Sequence, residues 1–392
     1  MSETQKHTKP NVPNLRFPGF EGEWEWETNE KLFNVSKEKN RGGKYSSVLS
    51  ASQSEGMIER SSLGIDIKYE EDSVLGYKVV HPGDYVIHLR SFQGGFAFSN
   101  RTGICSPAYT ILQPSPSLSY GFLSNYFTSQ KFIDSLRIVT YGIRDGKSIS
   151  VDEWLKLSTC FPKALEEQRK IKAFLSLLDE RITLQNKVIE DLRVLNKAIM
   201  TRLFQSTDGE IITLGELTVN FSNRNKQRIP YPMFSVTNDK GFIPQCEQFE
   251  DREMEGEDIA AYKLIRAGDI AYNPARINVG SIAQYKGKMT CMISSLYVCI
   301  QAKRTVSDRW LMHILKSDRL LYYYNLYAEG GVRLYLFYPN FSRIKVLVPP
   351  FAKQERIADC LDAIDNKIEQ ESALLNNLMK QKQFFLSRLF LY

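Results

Sequence analysis

Gln168-Arg169-Lys170-Ile171 opens the stretch that decides the fold. From there apolar residues fall at Ile171, Leu175, Leu178, Ile182, Ile189, Leu192, Ile199 and Leu203, with Gln185 and Asn196 filling two places in the same series. The spacing alternates four and three, the heptad seam of a helix packed along another helix. Gln354-Glu355-Arg356-Ile357 opens a second such stretch, with Ile357, Leu361, Ile364, Ile368, Leu375, Leu378, Phe385 and Leu389, and with Glu371 and Lys382 in the same two polar slots. A polar residue in a seam costs stability and fixes register. Its recurrence at matching places argues against two ordinary core helices. At 1.5 Å per residue each seam is about 50 Å long.

The helices belong to a larger duplication. At a shift of 185 residues Ser50 falls on Ser235, Gly56 on Gly241, Ile58 on Ile243, Tyr77 on Tyr262, Gly83-Asp84 on Gly268-Asp269 and Gly95 on Gly280. The shift becomes 188 for Ser106, Tyr109 and Gln113 against Ser294, Tyr297 and Gln301, and 189 for Gly142-Ile143-Arg144 against Gly331-Val332-Arg333. From Gln168 and Gln354 onward it holds at 186. Ordered identities with so small a drift are the mark of an internal repeat. Each copy begins with short β-rich runs, such as Asp84 to Ile87 and Ile104 to Leu112, broken by Gly, Pro, Ser and Asn. Helical segments follow (Leu123 to Leu136; Trp310 to Tyr324), then prolines (Pro162; Pro349, Pro350) that mark the start of the long helix.

The expected class is therefore α+β: two similar mixed domains separated by two long antiparallel helices, with approximate two-fold symmetry. The expected boundaries are a disordered tail (1–14), a first mixed domain (15–163), a first helix (164–205), a second mixed domain (206–349) and a second helix (350–392). Only Gln205 to Gly209 link the first helix to the second domain, and five residues reach at most about 18 Å. The second domain is thus expected at the far end of the first helix, with the second helix running back.

Composition bounds the function. The 392 residues are 43% hydrophobic and 24% charged, with a net charge of +6 that permits a polyanionic partner. No run approaches 18 apolar residues, and Met1 to Asn14 is polar and basic, so neither a membrane span nor a secretion signal is expected. The six cysteines form no CxxC pair and the four histidines lie near none of them at ligand spacing. A cytoplasmic protein with reduced thiols and no metal site is expected.

Two separated, similar heads follow the logic of dimeric DNA readers, whose spacing sets where half-sites lie. The candidate contact loops are Arg90-Ser91-Phe92-Gln93-Gly94-Gly95 with its counterpart Ala275-Arg276-Ile277-Asn278-Val279-Gly280. The second pair is Tyr141-Gly142-Ile143-Arg144-Asp145-Gly146-Lys147-Ser148 and Gly330-Gly331-Val332-Arg333. Arg grips guanine and Gln or Asn pairs with adenine, so Arg90, Ser91, Gln93, Arg144, Lys147, Ser148, Arg276, Asn278 and Arg333 are the candidate DNA-binding residues. The alternative at each is a solvated hairpin tip. The loops diverge between matched glycines, as two readers of different short sequences require.

Catalytic signatures fail. Tyr141 to Ser148 approaches a phosphate-binding loop but has Tyr where Gly is needed. Asn273-Pro274-Ala275-Arg276 lacks the second proline and the aromatic of amino methyltransferases, no Glu-x-Lys triplet of restriction nucleases occurs, and His81 and His88 have no nucleophile motif beside them.

With these residues in view, the chain resembles the specificity subunits of Type I restriction–modification enzymes. The resemblance rests on Leu15-Arg16-Phe17-Pro18-Gly19-Phe20, Leu214-Gly215-Glu216-Leu217, the Gly-Asp pairs at 83–84 and 268–269 and the two Gly-x-Arg elements. It rests also on the entries Glu167-Gln168-Arg169-Lys170-Ile171 and Lys353-Gln354-Glu355-Arg356-Ile357. Two departures stand out: Lys353 replaces the usual Glu, and Asn29-Glu30-Lys31-Leu32 is a degraded Leu-Gly-Glu-Leu. The resemblance implies two target recognition domains reading a bipartite double-stranded DNA sequence, with paired helices that set the unread spacer and help dock two modification subunits. Those partners bind S-adenosylmethionine and methylate adenine. Restriction subunits add ATP- and magnesium-dependent translocation and cleavage. The chain itself is then expected to hold no cofactor and to do no chemistry. A coiled-coil scaffold without DNA contact is the competing reading, and lacks the steep salt dependence of phosphate binding.

Overall fold

The computed structural model describes residues 10–52, 55–63, 71–142, 147–205, 208–245 and 259–392. The chain divides into two compact units, residues 1–186 with 373–392, and residues 187–372. The division falls inside both long helices, so each unit holds part of each.

The helices run Leu165–Gln205 and Phe351–Leu389. Glu166 and Glu167 occupy the first turn of the first helix and Arg202 its last, as the helix dipole favours. All twenty seam positions are buried or half-buried, the two polar slots included. In the first unit the helices lie antiparallel, with Phe174 and Phe385 edge to face at 4.8 Å and Lys382 ion-paired to Asp179. In the second unit Asn196 Nδ2 donates to Asp365 Oδ1 at 2.7 Å. Two of the polar seam residues thus find partners on the facing helix, which pins the register.

Each unit builds the same frame. A four-stranded antiparallel sheet is ordered Phe33–Ser36, Thr110–Pro114, Tyr85–Ile87, Ala97–Phe98 in the first unit. In the second the order is Thr218–Phe221, Val298–Ala302, Ile270–Tyr272, Ile282–Gln284. Three two-stranded ladders also recur: Glu25–Thr28 with Ser158–Phe161, Leu49–Ser52 with Gly56–Glu59, and Lys78–Val80 with Gly103–Cys105. Their counterparts are Glu210–Thr213 with Lys345–Val348, Phe234–Thr237 with Gly241–Pro244, and Lys263–Ile265 with Cys291–Ile293. The run Ile104 to Leu112 is two strands in different sheets, because a turn held by Tyr109 N–H on Ser106 O divides it. The helical segment Leu123 to Leu136 is likewise broken: Ser129 caps the helix Gln130–Ser135, as Ser317 caps Asp318–Tyr327.

Paired side chains repeat with the strands. Asp84 Oδ2 accepts from His81 N–H at 2.7 Å and Asp269 Oδ2 from Arg266 N–H at 2.8 Å, each closing the turn its preceding glycine allows. Both carboxylates are buried, and burial raises the Asp84 pKa above its usual value. The degraded copy at Asn29–Leu32 is still one helical turn, like Leu214–Leu217. Where Thr213 and Glu216 form a capping box, Asn29 instead donates to Trp154 O and accepts from Thr159 Oγ1.

Gln168 and Gln354 fasten each head to its long helix. Gln168 Oε1 accepts from Ser119 N–H at 2.6 Å, while its amide donates to Ser117 O and Pro162 O, both at 2.8 Å. Gln354 Oε1 accepts from Ser307 N–H at 2.8 Å and its amide donates to Pro349 O at 2.9 Å. Both side chains are buried. A constant shift beginning at these glutamines therefore has a structural reason.

Cores form around Trp24, Phe96, Phe127 and Trp154 in the first unit and around Tyr272, Trp310, Tyr324 and Phe341 in the second. Burial pushes the Cys105, Cys160 and Cys299 thiols up to about 12. Among the described residues no helix is long and apolar enough to cross a membrane.

Candidate nucleic-acid interface

In the first unit, strand Tyr85–Ile87 leads through His88 and Arg90 into a single helical turn, Ser91–Gly94. Gly95 closes the turn at φ 76°, and a Cβ there would lie 1.8 Å from Phe127 O, so no other residue fits. Ser91 is fully buried and its Oγ accepts from His88 N–H at 2.7 Å. That corrects its place among the DNA-binding candidates, since its hydroxyl faces inward and holds the turn. Arg90 and Gln93 are exposed. Burial lowers the His88 pKa, and Nδ1 accepts from Arg90 N–H at 3.3 Å.

The turn packs against strand Ser148–Ile149, which pairs with Thr140–Tyr141. Lys147 and Ser148 are exposed at this hairpin. The structure therefore brings Arg90, Gln93, Lys147 and Ser148 onto two adjoining elements. Arg144 lies outside the described residues.

The second unit repeats the juxtaposition. Strand Ile270–Tyr272 leads to Asn273, whose Oδ1 accepts from Ala275 N–H at 3.0 Å, then to a 3-10 turn, Ile277–Val279, closed by Gly280 at φ 93°. Arg276 is exposed, whereas Asn278 is half-buried and donates from Nδ2 to Asn325 Oδ1 at 3.0 Å. The following hairpin is closed by a bridge between Glu329 and Tyr335, and Leu336 N–H donates to Pro274 O at 2.9 Å, stitching hairpin to turn. Arg333 and the fully exposed Val332 stand at its tip.

Strand pairing revises one alignment. Gly142 follows paired Tyr141 with φ 103°, and Gly330 follows paired Glu329 with φ 137°. Gly142 thus corresponds to Gly330 rather than Gly331. The loop between Glu329 and Tyr335 is also one residue shorter than that between Tyr141 and Ser148.

The sequence reading missed an aromatic surface beside the second hairpin. Helix Asp318–Tyr327 packs on the Ile277–Val279 turn and presents Tyr322, exposed, and Tyr323, whose ring lies 5.9 Å from the Arg319 guanidinium. Tyr335 and Phe337 stack at 5.9 Å. The signal was the run Tyr322-Tyr323-Tyr324, of which only Tyr324 is fully buried.

Two copies of one mixed α/β frame, each presenting a glycine-closed turn beside a hairpin, make up the chain. Residues 207–380 match the family model of the Type I restriction modification DNA specificity domain. A solved S subunit of a Type I restriction–modification system from M. genitalium aligns over 97% of this chain and 99% of its own, with a TM-score of 0.58 and 17% identity. A chain from a study of complex assembly and conformational transition of the type I R-M system aligns over 94% of this one and 97% of its own, with a TM-score of 0.57 and 17% identity. A search of curated proteins finds no match. The resemblance read in the sequence and the mixed α/β class with long helices are borne out.

Proposed function

We propose that the chain is the DNA-reading, non-catalytic subunit of a Type I restriction–modification complex, each unit reading one half of a bipartite double-stranded target. One observation carries the reading: the same two elements adjoin on the same frame in both units, while their exposed side chains differ, Arg90 and Gln93 in one, Arg276 in the other. A shared frame with divergent tips is what two recognisers of different half-sites need. Exposed Leu177, Leu184, Val188 and Leu195 on the first long helix offer an apolar face to two modification subunits. S-adenosylmethionine, ATP and magnesium belong, on this reading, to the modification and restriction partners, and the complex works in the cytoplasm.

Gln93→Ala and Arg276→Ala are expected to weaken binding by about 1–3 kcal/mol each, and each to relax sequence preference in a different half of the target. Methylome sequencing of cells expressing each variant with its modification partner reads this out; relaxation of both halves by either variant would refute it. Arg333→Ala is expected to weaken binding to all DNA alike and to reduce the slope of log K against log salt by about one, as the loss of a phosphate contact does. A salt slope near zero for the unaltered complex would instead favour the scaffold reading.

A further inference from the structure

In the first unit the opening residues cover the start of the first long helix. Leu15 N–H donates to Arg388 O at 3.0 Å. Arg16 grips Glu167 with two hydrogen bonds of 2.8 Å, and Trp24 Nε1 donates to the same carboxylate at 3.3 Å. The Phe17 ring sits 5.7 Å from that of Phe174, and the Lys170 ammonium lies 5.6 Å from Phe17 and 5.8 Å from Phe20.

The repeat maps this surface onto the second unit. At the shift of 186, Glu167, Lys170, Ile171, Phe174 and Leu389 become Lys353, Arg356, Ile357, Cys360 and Leu203, and at the shift of 185 Trp24 becomes Gly209. Among the described residues nothing corresponds to Leu15–Phe20, because the first helix ends just before strand Glu210–Thr213. A cleft of about 430 Å³ opens there, lined by Leu203, Pro350, Ala352, Lys353, Arg356 and Ile357. Phe351, in the chain between the lining residues Pro350 and Ala352, is 51% exposed, a large apolar side chain left uncovered. Lys353 and Arg356 form no ion pair among the described residues.

We propose that this cleft is a docking socket for a linear segment of a partner polypeptide, aromatic like Phe17 and bearing a carboxylate where the first unit has Arg16. The occupied socket of the first unit shows what kind of segment fits. The exchange of Glu167 for Lys353 reverses the charge that segment must carry. Phe174 to Cys360 removes the ring against which Phe17 packs in the first unit. A second copy of this chain is disfavoured as occupant, since its matching segment is engaged at home and Arg16 would face Lys353. The inference stands apart from DNA reading.

The test uses the full chain and two fluorescein-labelled peptides, one with the sequence of residues 13–22 and one with the Arg16→Glu change, followed by fluorescence anisotropy without DNA. The carboxylate peptide is expected to bind about tenfold or more tighter than the arginine peptide, as a charge-assisted pair provides. Lys353→Glu is expected to invert that preference. Ala352→Trp, at an exposed position, is expected to abolish binding of both while the circular dichroism spectrum is kept. Absence of binding, equal binding of both peptides, or a preference indifferent to Lys353→Glu would overturn the proposal. Concentration-dependent self-association of the unaltered chain that disappears in Ala352→Trp would overturn it in favour of a second copy. DNA binding is read in neither arm, so failure here leaves the proposed DNA function untouched.

Discussion

Replacing Glu167 by alanine is expected to destabilise the first unit by about 3–5 kcal/mol, the range for removing one partner of a buried ion pair. The carboxylate is 1% exposed and accepts three hydrogen bonds, two from Arg16 and one from the Trp24 indole. Alanine would leave the guanidinium, itself only 14% exposed, without its counter-ion, and the buried indole N–H without an acceptor. Glu167→Gln keeps an acceptor oxygen for Trp24 while removing the charge, so its cost should be smaller. Arg16 also donates to Gly22 O and Glu21 O, so the loss should spread along the opening segment. Hydrogen exchange resolved by peptide is the proper measurement, because a chain of two units need not unfold in one step. Residues 10–24 should lose protection while those of the second unit keep theirs; unchanged protection in the opening segment would refute the assignment.

Gln168→Ala and Gln354→Ala are expected to form a graded pair. Removal of Gln168 orphans Ser119 N–H, Ser117 O and Pro162 O, whereas removal of Gln354 orphans Ser307 N–H and Pro349 O. A buried polar group left unpaired costs about 1–3 kcal/mol, so each substitution should cost about 2–6 kcal/mol through the two buried groups it orphans, the Gln168 loss being the larger because the exposed Ser117 O also loses its partner, and each loss confined to its own unit. Chemical denaturation followed by exchange within each unit would show it. Equal loss in both units from either substitution would refute the view that each glutamine fastens only its own head.

The seams were legible because periodicity is a property of neighbouring residues: Ile171 to Leu203 repeat at a spacing only a packed helix needs, and Lys382 finds Asp179 across it. The duplication was legible because turn glycines keep their place when strands diverge, as Gly95 and Gly280 do. Neither kind of signal reports which way a loop side chain points. Ser91 lies between exposed Arg90 and exposed Gln93, yet turns inward because the close approach of Gly95 to Phe127 fixes the turn. The bond from Arg16 to Glu167 spans 151 residues, and no local pattern predicts it. Short strands were hard for a related reason: three to five residues show little alternation, so the β-rich run Ile104 to Leu112 did not reveal that the turn at Ser106 sends its two strands to different sheets.

The first unit closes its core with residues 386–392. Phe390 packs against Phe122 and Tyr126, Tyr392 stacks on Tyr126 at 5.0 Å, and Leu386 and Leu389 are buried in the same cluster. Residues 187–372, by contrast, form their unit from one continuous stretch. During synthesis, which releases the chain from its start, residues 187–372 have emerged complete while the half made first still waits for residues 373–392. The order of translation and the order of completion are therefore opposite in this protein.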